Sequence, residues 1–395
     1  MVHRMLVGSP CVNGKEVRAT VRSSSSAAFD IFHVFPNPRK APAILREPEP
    51  NADPFLIASL LPAMALGGTL SSASPVSPKL LGAIPQIEDI MLAWDRHLWR
   101  VKYPARPRLA RVRVEAESRS SEGAPAATGR SASFFTAGVD SFYTAIKHLD
   151  EIDALVYVRG FDVRLSDPES RKRIMRGIRK AAEGLHKPLI ELRSNLRPFG
   201  LRSALDWGAY HGAALASAAA VAADTFGRFY IPSTTTYDHL VPLGSHPILD
   251  PLWSTEKIDI VHDGCEASRV EKLAMIADHE VARSWLRVCF ENPGGTYNCG
   301  SCEKCLRTMT QLRALGRLEE FRSFPPLDLE QMDFAFAPRA SDWTSAWAKT
   351  LRLLEERGVD PDLQAAIQRV LSTRSKWPTY HAGPALGGST GVVEQ

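Results

Sequence analysis

Phe134-Phe135-Thr136-Ala137-Gly138-Val139-Asp140-Ser141-Phe142-Tyr143 decides the fold. An apolar run ends in small residues, and Asp-Ser then opens an amphipathic segment, the pattern of strand, tight turn and helix N-terminus. Free N–H groups of a first helical turn and the positive end of its dipole attract anions, and Ala137 and Gly138 leave the approach open. Phosphate or pyrophosphate is the expected guest. The Thr136 and Ser141 hydroxyls can add hydrogen bonds, and Asp140 can cap the helix or hold magnesium. A plainly capped helix is the simpler reading. The stretch has neither the Gly-Lys-Ser/Thr of a Walker A loop nor a GxGxxG fingerprint.

Downstream, strand and helix patterns alternate. Strands are expected at 133–135, 154–158, 189–192 and 229–232, and helices at 140–149, 169–185 and 206–225. That alternation predicts an α/β fold, a parallel sheet with helices on both faces, whose ligand sits at the carboxyl ends of the strands.

Upstream, residues 1–116 read as a small α+β domain, with strands at 17–22, 29–35 and 109–114 and helices at 53–65 and 79–99. Residues 117–132, rich in Ser, Gly and Ala, read as a linker. The apolar stretch 54–70 contains Pro62 and Gly67-Gly68 and is too short to span a bilayer, so a buried helix is expected. The main domain then runs over 133–322. Amphipathic helices at 343–357 and 363–371 belong to a carboxy-terminal segment, 323–395, whose last residues, 381–395, read as a flexible tail.

With 44% hydrophobic and 23% charged residues in 395, the chain is globular rather than disordered or fibrous. A net charge of +4 neither demands nor forbids nucleic acid. The basic cluster Arg171, Lys172, Arg173, Arg176, Arg179 and Lys180 reads as a solvated helix face. No charged start followed by an apolar core opens the chain, so a cytoplasmic protein without a membrane partner is expected.

The second strong signal is Cys289, Cys299, Cys302 and Cys305, spaced C-x9-C-x2-C-x2-C, with Gly294, Gly295 and Gly300 easing the turns. Such spacing lets four thiolates converge on a tetrahedral ion, and zinc is the expected occupant; the ligands alone also suit an iron–sulfur cluster. Cys11 and Cys265 stand apart as small core residues.

The order small-small-Gly-apolar-Asp-Ser in 136–141 resembles the SGGxDS loop of the PP-loop ATP pyrophosphatases (the N-type, adenine nucleotide alpha hydrolase-like fold), with Thr136 in place of Ser and Ala137 in place of the first Gly. Together with the cysteines it resembles the 7-cyano-7-deazaguanine synthase family over about residues 131–315. Ser284-Trp285-Leu286-Arg287-Val288-Cys289 stands where that family has Thr-Trp-Ser-Cys. Cys299-Gly300-Ser301-Cys302-Glu303-Lys304-Cys305-Leu306-Arg307 follows its Cys-Gly-x-Cys-x-x-Cys-x-x-Arg, and Ser268-Arg269-Val270-Glu271 matches its Ser-Lys-x-Glu. The family's Tyr-Pro-Asp segment is absent; residues 232–239 and 244–251 differ, so the acceptor pocket is rebuilt.

The resemblance implies an ATP-dependent synthetase. It would adenylate a carboxylate or carbonyl oxygen of a small-molecule or protein-borne substrate, release pyrophosphate, and let ammonia or another amine displace AMP. ATP, magnesium and zinc are the implied cofactors, and a partner protein or a second copy is compatible. It assigns Thr136, Ala137, Gly138, Val139, Asp140 and Ser141 to the phosphates, Asp140 or Asp238 to magnesium, Arg269 and Lys272 to charge neutralisation, and Gly160 and Phe161 to adenine. Weaker substrate candidates are Asn195, Arg197, His211, Tyr237, Asp238 and His246. Trp207 and His211 share a helix face, a pairing that more often serves core packing than base stacking, and His239, Ser245 and Asp250 lie in an irregular segment of the kind that often carries function. Two other readings stay open: a PP-loop tRNA-modifying enzyme, and a nucleotide-binding subunit without turnover.

Overall fold

The strands of both halves of the chain join one sheet. A computed structural model describes residues 3–35, 43–99, 107–120, 127–161, 168–291, 293, 296–333 and 344–374. Its strands are β1 (Arg4–Val7), β2 (Cys11–Asn13), β3 (Glu16–Ser23), β4 (Ser26–Val34), β5 (Gly68–Ser72), β6 (Val112–Glu115), β7 (Ser131–Phe134), β8 (Ala154–Arg159), β9 (Leu189–Ser194), β10 (Arg228–Pro232) and β11 (Asp259–Asp263). They run in the order β11-β10-β7-β8-β9-β4-β3-β1-β5-β6, with β2 paired to β3. Pairing is parallel from β11 through β9, antiparallel from β9 through β4 and β3 to β1, and parallel again from β1 to β6.

The alternation expected downstream is present, with boundaries moved by a few residues. The chain leaves β7 at Phe134 and enters a helix at Val139–Lys147. Helices Pro168–Gly184 and Trp207–Ala220 follow β8 and β9. Successive strand residues face opposite sides. Ala132, Phe134, Val156, Val158, Ile190 and Ile231 join the core under helices Asp53–Leu66 and Trp207–Ala220. Phe135, Leu155, Tyr157 and Tyr230 pack against helices Val139–Lys147, Pro168–Gly184, Arg269–Ala277 and Glu303–Ala314. Helix Trp207–Ala220 is buried nearly all round, because its alanines let Asp53–Leu66 lie close against it.

The stretch 54–70 is not one helix. Gly67, at φ 73, ends it, and Gly68, at φ 100, turns the chain into β5; a Cβ at Gly68 would lie 2.1 Å from the His3 carbonyl oxygen. The strand expected at 109–114 occupies Val112–Glu115, and β1, β2, β5 and β11 were not anticipated. In the expected linker, β7 already begins at Ser131, and Arg119 reaches back to the buried Asp53. Helices Thr344–Arg357 and Pro361–Arg374 enclose a small third core around Trp347 and Ile367. The expected tail 381–395, and Gly294 and Gly295, lie outside the described residues. No described helix is long and apolar enough to cross a membrane.

Candidate functional site

In the parallel part of the sheet, β7 has β8 on one side and β10 on the other, and the connections run outward in both directions from there. Such a reversal leaves a crevice at the carboxyl ends of the strands. A cavity of about 570 Å³ occupies it. Thr136, Gly138, Val139, Asp140 and Ser141 form its rim, and Phe134, Val156, Val158 and Ile231 form an apolar floor facing Trp207, His211 and Leu215 of the helix Trp207–Ala220.

The turn itself is unusual. Ala137 adopts φ 59 and is fully buried. The left-handed region costs an L-residue about 1–2 kcal/mol, so the surroundings must hold it there. The Arg287 N–H donates to the Ala137 carbonyl at 2.8 Å. Ser141 Oγ accepts from the N–H groups of Gly138 (3.0 Å) and Thr136 (3.3 Å) and donates to the Gly138 carbonyl (3.1 Å). The Ser141 hydroxyl shapes the turn while its residue lines the cavity. The first-turn N–H groups of the helix Val139–Lys147 remain directed at the cavity end of the helix.

Cations crowd this rim. Lys272 is 2% exposed; its Nζ donates to Ser233 O (2.6 Å) and Asp140 Oδ1 (3.2 Å). Arg269 begins the helix Arg269–Ala277, which Ser268 and Glu271 cap reciprocally. It lines the cavity and donates from Nη2 to Thr308 Oγ1 (3.0 Å), while its buried Nε has no hydrogen-bond partner among the described residues. Arg287 and Lys304 line the cavity as well. Arg307 lies behind them, 3.2 Å from Glu303; burial, with Arg269 beside it, lowers its guanidinium to about 10. Burial also raises the Glu303 carboxyl, against the pull of Arg307 and Arg269. Asp140 is the sole carboxylate among the residues lining the cavity. The lining residues thus carry more basic than acidic side chains, a setting that favours an anion.

The cysteines adjoin the same wall. The Sγ atoms of Cys289, Cys299, Cys302 and Cys305 all lie within 4.8 Å of one another, and Cys289 itself lines the cavity. Cys302 caps the helix Glu303–Ala314, and its N–H donates to Cys299 Sγ at 3.2 Å. Hydrogen bonding to Cys289 pushes the Cys302 thiol up to about 12; a bound cation reverses that sign, since metal-bound thiols ionise. Four converging sulfurs in a closed set fit a structural metal ion such as zinc. Asn298 stitches the knot together, accepting from the N–H groups of Val288 and Cys289 and donating to the carbonyls of Leu286 and Ser323.

Of the sequence candidates, Thr136, Gly138, Val139, Asp140, Ser141, Phe161, Arg197, His211 and Arg269 meet in the cavity, and Lys272 joins through Asp140. Phe161 packs edge-on to Trp207 at 5.0 Å, and the Arg197 guanidinium lies 5.2 Å over the same indole. Gly160, at φ 104, turns the chain after β8 without lining the cavity. Asn195 is corrected to a structural role: its amide accepts from Phe32 N–H and donates to Asp30 O, tying it to β4. Tyr237 is 64% exposed and outside the cavity lining. Asp238 pairs at the surface with Lys349 (3.3 Å) and is not among the residues lining the cavity. His246 is buried against Trp94, its Nδ1 accepting from Ile248 N–H.

Sequence reasoning gave no role to Arg287, Lys304, Arg307, Thr234, Thr235 or His262. Arg287 and Arg307 each stand two residues from a cysteine, a signal that was present; His262 had none, because β11 was not recognised.

No family model, curated protein or solved structure matches the chain. The chemistry of the site rests on its own residues.

Proposed function

We propose that the chain is a PP-loop ATP pyrophosphatase that adenylates a carboxylate or carbonyl oxygen and then forms a C–N bond. One observation carries this reading: a left-handed turn and helix N-terminus at the sheet's switch point face Arg269, Arg287 and Lys304, with Lys272 paired to Asp140, the one carboxylate among the lining residues. Neutral ligands gain nothing from such a wall, whereas a triphosphate is matched to it in charge and position.

In the first step an acceptor oxygen attacks the α-phosphorus, a P–O bond forms, and the bond to the β-phosphate breaks as pyrophosphate leaves. Thr136 and the main chain of Ala137, Gly138 and Val139 would cradle the leaving pyrophosphate, while Ser141 keeps the turn in shape. Arg269, Lys272, Arg287 and Lys304 would neutralise its developing charge, and catalysis is positioning plus electrostatics. Asp140 is suited to hold magnesium, which typically takes one or two carboxylates together with substrate phosphates. Phe161 and Trp207 offer aromatic surface to a base. The cysteine set would keep zinc as a structural ion.

The test is product analysis. Purified chain is incubated with ATP, magnesium, ammonia and a panel of amino acids, dicarboxylates and heteroaromatic acids. AMP and pyrophosphate in equal amounts, released only with an acceptor, are expected. ADP as product, or ATP affinity without α,β cleavage, overturns the reading; dependence on added tRNA moves the function to nucleic-acid modification.

A further inference from the structure

The far side of the same cavity holds a second constellation. Asp250, completely buried, accepts on Oδ2 from His262 Nδ1 (2.7 Å) and from Ser245 Oγ (2.6 Å). Its other oxygen receives the His246 N–H at 3.3 Å. The carboxylate thus anchors one imidazole and is itself held by Ser245 and the His246 main chain. His262 sits at the carboxyl end of β11, in register with Ile231, and lines the cavity with its side chain 3% exposed. Its Nε2 is buried and has no hydrogen-bond partner among the described residues.

A carboxylate on Nδ1 decides the tautomer. With the Nδ1 proton directed at Asp250, the neutral ring keeps its lone pair at Nε2, toward the cavity. His211, four residues after Trp207, lines the same space; its Nδ1 is 3.1 Å from the carbonyl oxygens of Trp207 and Gly208, and burial lowers its affinity for a proton. The phosphate rim therefore collects cations, while this side presents a neutral acceptor backed by a buried negative charge. A group that must lose a proton during reaction is what such an arrangement serves.

We propose that His262, positioned by Asp250, is the proton acceptor for the amine in the second step. This rests on the adenylation reading. The amine lone pair forms the new C–N bond, the bond between that carbon and the AMP oxygen breaks, and its electrons leave with AMP. One amine proton passes to His262 Nε2, and Asp250 stabilises the imidazolium until the proton returns to solvent. Ser245 holds the carboxylate in line.

Two measurements test this on the full chain. With histidine ring nitrogens labelled with ¹⁵N, the His262 resonances, assigned by their loss in His262→Gln, are expected to report a proton on Nδ1, and Asp250→Asn is expected to abolish that preference. A proton on Nε2 in the wild-type ring overturns the proposal, whatever the activity. The second measurement uses ATP, the carboxylate returned by the panel above, and either ammonia or hydroxylamine, which is unprotonated at neutral pH and whose more acidic adduct gives up its proton to water without a strong base. In His262→Gln the ratio of ammonia-derived to hydroxylamine-derived product is expected to fall about 100-fold, the lower range for general-base catalysis. An unchanged ratio overturns the proposal and leaves adenylation standing. A wild-type chain that releases no pyrophosphate with any acid overturns adenylation first, and the amine step with it.

Discussion

Strands β7 to β11 and strands β1 to β6 belong to one sheet, and the cavity described above is lined from the first group. In the first group all five strands are parallel, so their carboxyl ends share one edge, and the order reversal at β7 opens that edge. Around β4, β3 and β1 the direction alternates, so the carboxyl ends of neighbouring strands fall on opposite edges. The amino-terminal half instead covers surface that the other half needs covered. Helix Asp53–Leu66 buries twelve residues and packs on Trp207–Ala220, and β4 closes the free edge of β9 through His33↔Ser194 and Val34↔Arg193. One half shapes a site; the other makes it stable enough to exist.

Cutting between the halves should produce the largest effect. A chain starting at residue 127 exposes the β9 edge and the apolar face of Trp207–Ala220, so it is expected to aggregate on expression, whereas a soluble, cooperatively melting fragment would show that the halves are separable. Next is the cysteine knot: Cys305→Ser should lower the metal content and shift the melting temperature down by about 10 °C, measured by elemental analysis and calorimetry. Asp140→Ala should cut pyrophosphate release about 100- to 1,000-fold with little change in melting, since the cost falls on the site and not on the scaffold.

The seam itself has a pH signature. Burial lowers His33 to about 3 from the ordinary imidazole value of 6.5. Its folded value is the lower one, so between the two the unfolded chain binds more protons; stability is full above about pH 6.5 and falls as pH drops toward 3. At about 1.4 kcal/mol per pH unit, going from pH 6.5 to 5 should cost the wild type about 2 kcal/mol more than His33→Gln, read from urea midpoints. Smallest is Tyr210→Phe, which removes the hydroxyl donating to Ala58 O at 2.9 Å across the halves; about 1 kcal/mol of stability and no change in nucleotide affinity are expected.

The parts legible in the sequence are those written in local periodicity. The Phe134–Tyr143 junction, the helices that follow it and the four cysteines each announce themselves within a few residues. What escaped depends on distance along the chain. β1 is short, β5 hides behind an apolar helix, and each is fixed by pairing with the other. His262 acquires meaning only from Asp250, twelve residues earlier in a single 3-10 turn. Asn195 looked like a pocket residue from its place after a strand, but the amide is taken by β4, more than 160 residues upstream. Ser141 lines the cavity as its place in the motif suggests, but its bonds to the turn's own N–H groups depend on backbone angles that no spacing shows.

The short run from Leu286 to Cys289 has a sulfur anchor at one end and, through a single amide of Arg287, a brace on Ala137 near the other. Anything that dissolves the sulfur anchor, whether a chelator or an oxidant, would slacken the brace and release a strained alanine into ordinary backbone angles. The proposed nucleotide binding would then fail at a distance, with every basic side chain lining the cavity chemically intact.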